Sequence, residues 1–235
     1  MKTLTSLLLI ILPLLPYAAN TPDSYFQSGM TKYQAKDYKG ALDDFSKAIE
    51  AAPKEAKYYL YRGLVKAQLS DNISAIRDYN KAIELKPDYA EALAQRAKIK
   101  FELKDFDGAT EDCNEALSDD ANNSTDNLVL GMAYFEKQNY GESMKAFSEA
   151  IKLDPYNTEP LFKRGKAKME LNDYLGAIKD FNIVIKLDSE YGNAYLQRGI
   201  AKSFLGDKAG SCIDWSLAGE LGTAEAYDYI KSKCN

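Results

Sequence analysis

The chain has 235 residues, 46% of them apolar and 28% charged, with a net charge of −5 and no histidine. Without histidine there is no His-based catalytic triad, no His-ligated metal centre and no ordinary neutral-pH proton shuttle. The acidic balance, with no basic run, argues against nucleic acid as a partner, because such binding needs a basic face to displace counterions.

The first stretch, MKTLTSLLLIILPLLPYAAN, joins Lys2 to an apolar run from Leu7 to Leu15 and then to Ala18 and Ala19. This is the layout of a secretory signal peptide, expected over residues 1–19 with cleavage after Ala18 or Ala19. The residue three before either cut is Pro16 or Tyr17, a departure from the usual small residue. The alternative is an uncleaved anchor, but the run is short for a bilayer and is interrupted by Pro13 and Pro16. The expectation is export to a bacterial periplasm or cell envelope, or secretion, with no membrane span after cleavage.

From Pro22 onward the chain repeats every 34 residues without a gap. Six units result: 22–55, 56–89, 90–123, 124–157, 158–191 and 192–225. Each reads as helix, turn, helix. The eighth position is small: Gly29, Gly63, Ala97, Gly131, Gly165 and Gly199. The twenty-fourth is a large ring (Phe45, Tyr79, Phe147, Phe181, Trp215) except at Cys113. The twenty-seventh is small or β-branched, from Ala48 to Ala218. Pro53, Pro87 and Pro155 stand in turns between units, where proline stops a helix.

These residues resemble the tetratricopeptide-repeat family. The resemblance implies an all-α fold: helix pairs stacked as a right-handed α-solenoid with a concave and a convex face, serving binding rather than catalysis. Stacking is also what physics requires, since one helix pair cannot bury its apolar face alone. A C-terminal capping helix is expected over 224–235, with Ala226, Tyr227 and Ile230 turned inward.

Cys212 falls in the second helix of unit six and Cys234 at the end of the cap. Counted from Leu221, they lie 9 residues back and 13 forward. At about 1.5 Å per residue on antiparallel helices their heights match, which predicts a disulfide. Cys113 reads as a small buried hydrophobe.

Arg62, Arg96, Arg164 and Arg198 share repeat position 7, and the same units carry Asp78, Asp112, Asp180 and Asp214 at position 23. Pairing inside each repeat leaves only Asp44 without a partner. A register-setting ion pair is expected here rather than a row of ligand-binding arginines. Unit four lacks both residues, with Leu130 and Ala146 instead.

The resemblance places the concave surface on the first helix of each unit. Its residues there include Phe26, Met30, Leu60, Tyr61, Leu64, Lys98, Leu128, Val129, Phe162, Lys163, Lys166, Leu196 and Ile200. Such an apolar groove with two basic spots suits an extended peptide or an amphipathic helix from a protein partner. The Lys/Asn clamp by which some family members hold chaperone C-termini is missing, as Phe26 and Met30 stand where Lys and Asn are needed. No cofactor, no metal and no catalytic residue is expected. The leading reading is a noncatalytic interaction scaffold; the rival is a structural subunit of an envelope assembly whose groove is permanently filled.

Overall fold

The computed structural model describes residues 21–119 and 122–234, so the signal-peptide expectation lies outside the described residues. The described chain is all-α. Six first helices, α1 (Pro22–Gln34), α3 (Ala56–Gln68), α5 (Ala90–Glu102), α7 (Ser124–Glu136), α9 (Thr158–Glu170) and α11 (Gly192–Phe204), alternate with six second helices. The latter are α2 (Tyr38–Ala51), α4 (Asn72–Leu85), α6 (Phe106–Asp119), α8 (Tyr140–Leu153), α10 (Tyr174–Leu187) and α12 (Lys208–Glu220). The chain ends in α13 (Ala226–Tyr229), which runs into a π turn, Ile230–Cys234. It divides into two compact units, one holding α1–α4 and one holding α5–α13.

The same turn closes every helix pair. Repeat position 15 adopts a left-handed conformation in all six, with φ from 58° at Gln138 to 80° at Gly206. Only the last repeat uses glycine there; Lys36, Ser70, Lys104, Gln138 and Asn172 accept the strain. The next residue, Asp or Asn, caps the second helix. Its side chain accepts the amide three residues on, as in Asp37 with Gly40 at 3.0 Å and Asp173 with Gly176 at 2.9 Å.

Between the two helices of a pair, a ring lies directly on a glycine. A Cβ added at Gly29 would stand 2.7 Å from the Phe45 ring, at Gly63 2.6 Å from Tyr79, and at Gly165 2.6 Å from Phe181. Those rings are fully buried, as are Phe147 and Trp215. The one repeat with Ala97 in place of glycine is the one with Cys113 in place of the ring, and both are fully buried in a cluster with Val129, Leu130 and Ala146. Burial pushes the Cys113 thiol up to about 12, so it behaves as an inert core side chain.

At the C-terminus, Cys212 and Cys234 are bridged with their Cα atoms 5.8 Å apart. In the chain-entropy picture a loop of this size contributes roughly 3 kcal/mol. Ala226 is fully buried and Ile230 half-buried, but Tyr227 is 58% exposed, contrary to expectation. The inward stripe is Ala226, Tyr229, Ile230, at i, i+3, i+4, and Tyr227 falls one position off it. Tyr229 stacks on Trp215 at 5.0 Å between centroids, while the Tyr227 hydroxyl donates to the Gly219 carbonyl at 3.1 Å.

The exchange in repeat three makes a prediction. Cys113→Phe should destabilise the chain by about 1–3 kcal/mol through overpacking, and Ala97→Gly in the same chain should restore most of it. Urea unfolding of the two single variants and the double variant measures this; additive losses would show that the two positions do not compensate.

Candidate protein-interaction face

The charges nearest the glycine–ring contact form a repeated clamp. Arg62 donates through Nε and Nη2 to Asp78 at 2.8 and 2.7 Å, and Arg164 to Asp180 at 2.9 and 2.7 Å. Arg96 with Asp112 and Arg198 with Asp214 do the same. A lysine at repeat position 11 completes each site: Lys66, Lys100, Lys168 and Lys202 reach the same carboxylates at 2.7, 2.9, 2.7 and 2.8 Å. Arg62, Arg164 and Arg198 also donate through Nη1 back to the preceding repeat, to Ser46 at 3.5 Å, Ser148 at 3.0 Å and Asn182 at 2.6 Å. The hydrogen bonds it donates to Asp78 hold the Arg62 guanidinium above its ordinary pKa against its partial burial.

Asp44 is not left alone, as within-repeat Arg pairing implied. Ser28 donates to it at 2.6 Å and Lys32 pairs with it at 2.6 Å. Burial raises the Asp44 pKa, but these two partners outweigh it and hold the carboxyl below its ordinary value. The clamp faces inward, with the Asp78 side chain 5% and that of Asp214 1% exposed, and serves as a structural device. Repeat four replaces the whole set with Leu130, Tyr134 and Ala146. There the Ser143 hydroxyl donates to the Gly131 carbonyl at 2.8 Å, and an open depression of 770 Å³ lies over Leu130, Tyr134, Met144 and Ala146.

The first-helix residues separate into two groups. Phe26, Leu60, Leu128, Val129 and Leu196 are buried and lie under the face instead of lining it. Four of them share repeat position 5, which points into the neighbouring helices. Phe26 shows this: its ring contacts Phe45, Tyr58 and Tyr61 at 5.2–5.6 Å. Met30, Tyr61, Leu64, Lys98, Phe162, Lys163, Lys166 and Ile200 are half-buried and reach solvent. Repeat position 9 reaches solvent in all six repeats: Met30, Leu64, Lys98, Met132, Lys166 and Ile200.

Within the α1–α4 unit the face presents Met30, Tyr61 and Leu64, with Tyr61 set edge-on against Phe26. Within the α5–α13 unit it contains a slot of 290 Å³ lined by Phe101, Met132, Phe135, Glu136, Lys163 and Lys166. The Lys166 ammonium stands 5.6 Å from the centre of the Phe135 ring. Phe162 packs on Phe181 at 5.7 Å and on Tyr191 at 5.1 Å. Ile200 lines a smaller hollow of 190 Å³ with Phe204, Trp215 and Tyr229 of the cap. Lys98 lines a polar depression of 420 Å³ that includes Gln95, Tyr89 and Asp126.

Phe101 and Phe135 were missed by sequence reasoning. Both occupy repeat position 12 and pair with a ring at position 17, Phe106 at 5.5 Å and Tyr140 at 5.3 Å, as Tyr33 pairs with Tyr38 at 5.9 Å. That recurrence was the available signal. Among the described residues there is no cluster of potential metal ligands, and no helix is long and apolar enough to cross a membrane.

Comparison with known proteins gives the same architecture. A tetratricopeptide-repeat profile matches residues 22–55 and 56–89, and a second TPR profile matches residues 131–172. No curated protein sequence matches. Among solved structures, YrrB, described as a TPR protein with an unusual peptide-binding site, superposes with a TM-score of 0.74 at 19% identity, covering 80% of this chain and 97% of YrrB. PilF of Pseudomonas aeruginosa superposes with a TM-score of 0.75 at 16% identity, covering 90% of this chain and 96% of PilF. MamA gives a TM-score of 0.67 at 22% identity, covering 70% of this chain and 96% of MamA. At these identities the likeness is one of fold, the helix-pair solenoid.

The clamp yields a prediction. Arg164→Leu leaves Asp180 buried and short of its main partner, which should cost about 3–5 kcal/mol. Converting the repeat to the apolar set of repeat four, with Arg164→Leu, Lys168→Tyr and Asp180→Ala together, should recover most of that loss in urea unfolding. A triple variant as unstable as the single one would mean that the ion pair is more than a register device.

Proposed function

We propose that this chain, a tetratricopeptide-repeat protein, is a noncatalytic protein–protein interaction scaffold that receives a peptide or amphipathic helix on its first-helix face. The observation that carries the reading is repeat position 9, half-exposed in all six repeats and apolar in four of them: Met30, Leu64, Met132 and Ile200. Flexible methionines and aliphatics held by a stiff clamp make an adaptable surface on a fixed frame. The similarity to YrrB, whose description names a peptide-binding site, supports the same use. The buried clamp aspartates are committed to Arg and Lys, and the Cys113 thiol to the core.

The protein acts outside the cytoplasm, in the periplasm or cell envelope. Two features support this: the signal-like start and the Cys212–Cys234 bridge, since structural disulfides persist in oxidising compartments.

Affinity capture from the native envelope fraction tests the first proposal. Wild type should recover a partner that Leu64→Asp/Met132→Asp, folded by circular dichroism, loses. Equal capture by both would move the working surface off the first helices. Alkylation of the denatured, unreduced native protein tests the second: one thiol, that of Cys113, should react. Three reactive thiols would place the chain in a reducing compartment.

A further inference from the structure

Seven of the ten half-buried lysines among the described residues hold a carboxylate. Lys32, Lys66, Lys100, Lys168 and Lys202 do so in the repeated clamp, and Lys57 and Lys81 do so elsewhere. Among the described residues, three half-buried lysines form no ion pair: Lys98, Lys163 and Lys166. All three lie on the first helices of the α5–α13 unit. Withdrawing an ammonium from water without an opposite charge is unfavourable, and the Lys166–Phe135 contact offsets it only in part.

Two of these three lysines, Lys163 and Lys166, line the slot. Lys98 lines a separate depression that also holds Asp88, Glu91 and Asp126. Met132 and Phe135 supply the apolar floor. Glu136 is the one carboxylate that lines the slot, and it is exposed at the rim. The arrangement joins an apolar recess large enough for one side chain to two unpaired positive charges. It stands out against a chain whose net charge of −5 repels anions in general.

We propose that this slot docks an acidic peptide segment, with one aliphatic or aromatic side chain inserted between Phe101, Met132 and Phe135 and flanking carboxylates set against Lys163 and Lys166. An extended segment alternates its side chains and advances about 3.3 Å per residue, so residues beside the inserted one reach the two lysines of α9. The inference rests on the interaction-scaffold reading and specifies the chemistry of its ligand.

Isothermal titration of the full chain with three synthetic octapeptides tests it. One carries Leu-Phe at its centre flanked by acidic residues, one the same centre flanked by serines, and one acidic flanks around Gly-Gly. The acidic Leu-Phe peptide should bind more tightly than both others, and more weakly as salt rises. Its affinity should fall about tenfold or more in Lys163→Glu/Lys166→Glu, whose side chains support no internal contact with a carboxylate, and also in Phe135→Ala. Equal binding of the serine peptide, or no effect of charge reversal in a variant that unfolds at the wild-type urea midpoint, overturns the acidic ligand but leaves the scaffold reading to the capture experiment. No binding by any peptide overturns the slot as a docking site. Loss of envelope capture at Leu64→Asp alone, a position outside the slot, alongside such a result would then place the ligand elsewhere on the first helices.

Discussion

A ring resting on a residue without a side chain sets the geometry of this protein. Phe45 on Gly29, Tyr79 on Gly63 and Phe181 on Gly165 bring the two helices of each pair closer than any Cβ would allow. The charged residues at repeat positions 7 and 23 are the immediate neighbours of that contact. They meet as Arg–Asp forks because the glycine and the ring have already fixed the distance. The lysine one turn further on adds a third donor to each aspartate. Repeat three shows that close packing, not the ring as such, is the requirement, since alanine and cysteine satisfy it together. Repeat four shows that the ion pair is dispensable, since Leu130, Tyr134 and Ala146 stand where it would be.

Features carried by the 34-residue period were legible without coordinates. The helix pairs, the glycine–ring contact, the Arg–Asp pairing and the Cys212–Cys234 bridge all follow from counting positions. The lysine of the clamp and the Asp or Asn cap recur just as regularly and were open to the same reading. Other features do not follow from the period. Whether a first-helix residue faces solvent depends on how successive first helices pack, and that separates Leu60 and Leu196, which are buried, from Leu64 and Ile200, which are not. The slot was invisible for the same reason: Phe101, Phe135, Lys163 and Lys166 come from three helices. The cap misled because a single helical position decides whether Tyr227 or Tyr229 meets Trp215.

The face and the frame divide the work. The clamp aspartates are buried and saturated by Arg and Lys, so the clamp holds the helices without competing for a ligand. Residues at repeat position 9 have the opposite character: partly exposed and chemically varied. Position 9 is methionine, leucine or isoleucine in four repeats and lysine in two, while the contact beneath it barely changes. Recognition is thereby uncoupled from folding, and the outer residues are free to vary in chemistry without disturbing the helix pairs.

The bridge at the end of the chain has a consequence for how the second unit comes apart. A stack in which each repeat touches only its neighbours opens from its ends. The Cys212–Cys234 bond ties the terminal helix to the last pair, and the Tyr229–Trp215 stack lies beside it. One end is therefore shut while the bond is intact. Fraying from this terminus is thereby held off by a covalent bond and not by packing alone, and reduction would release it.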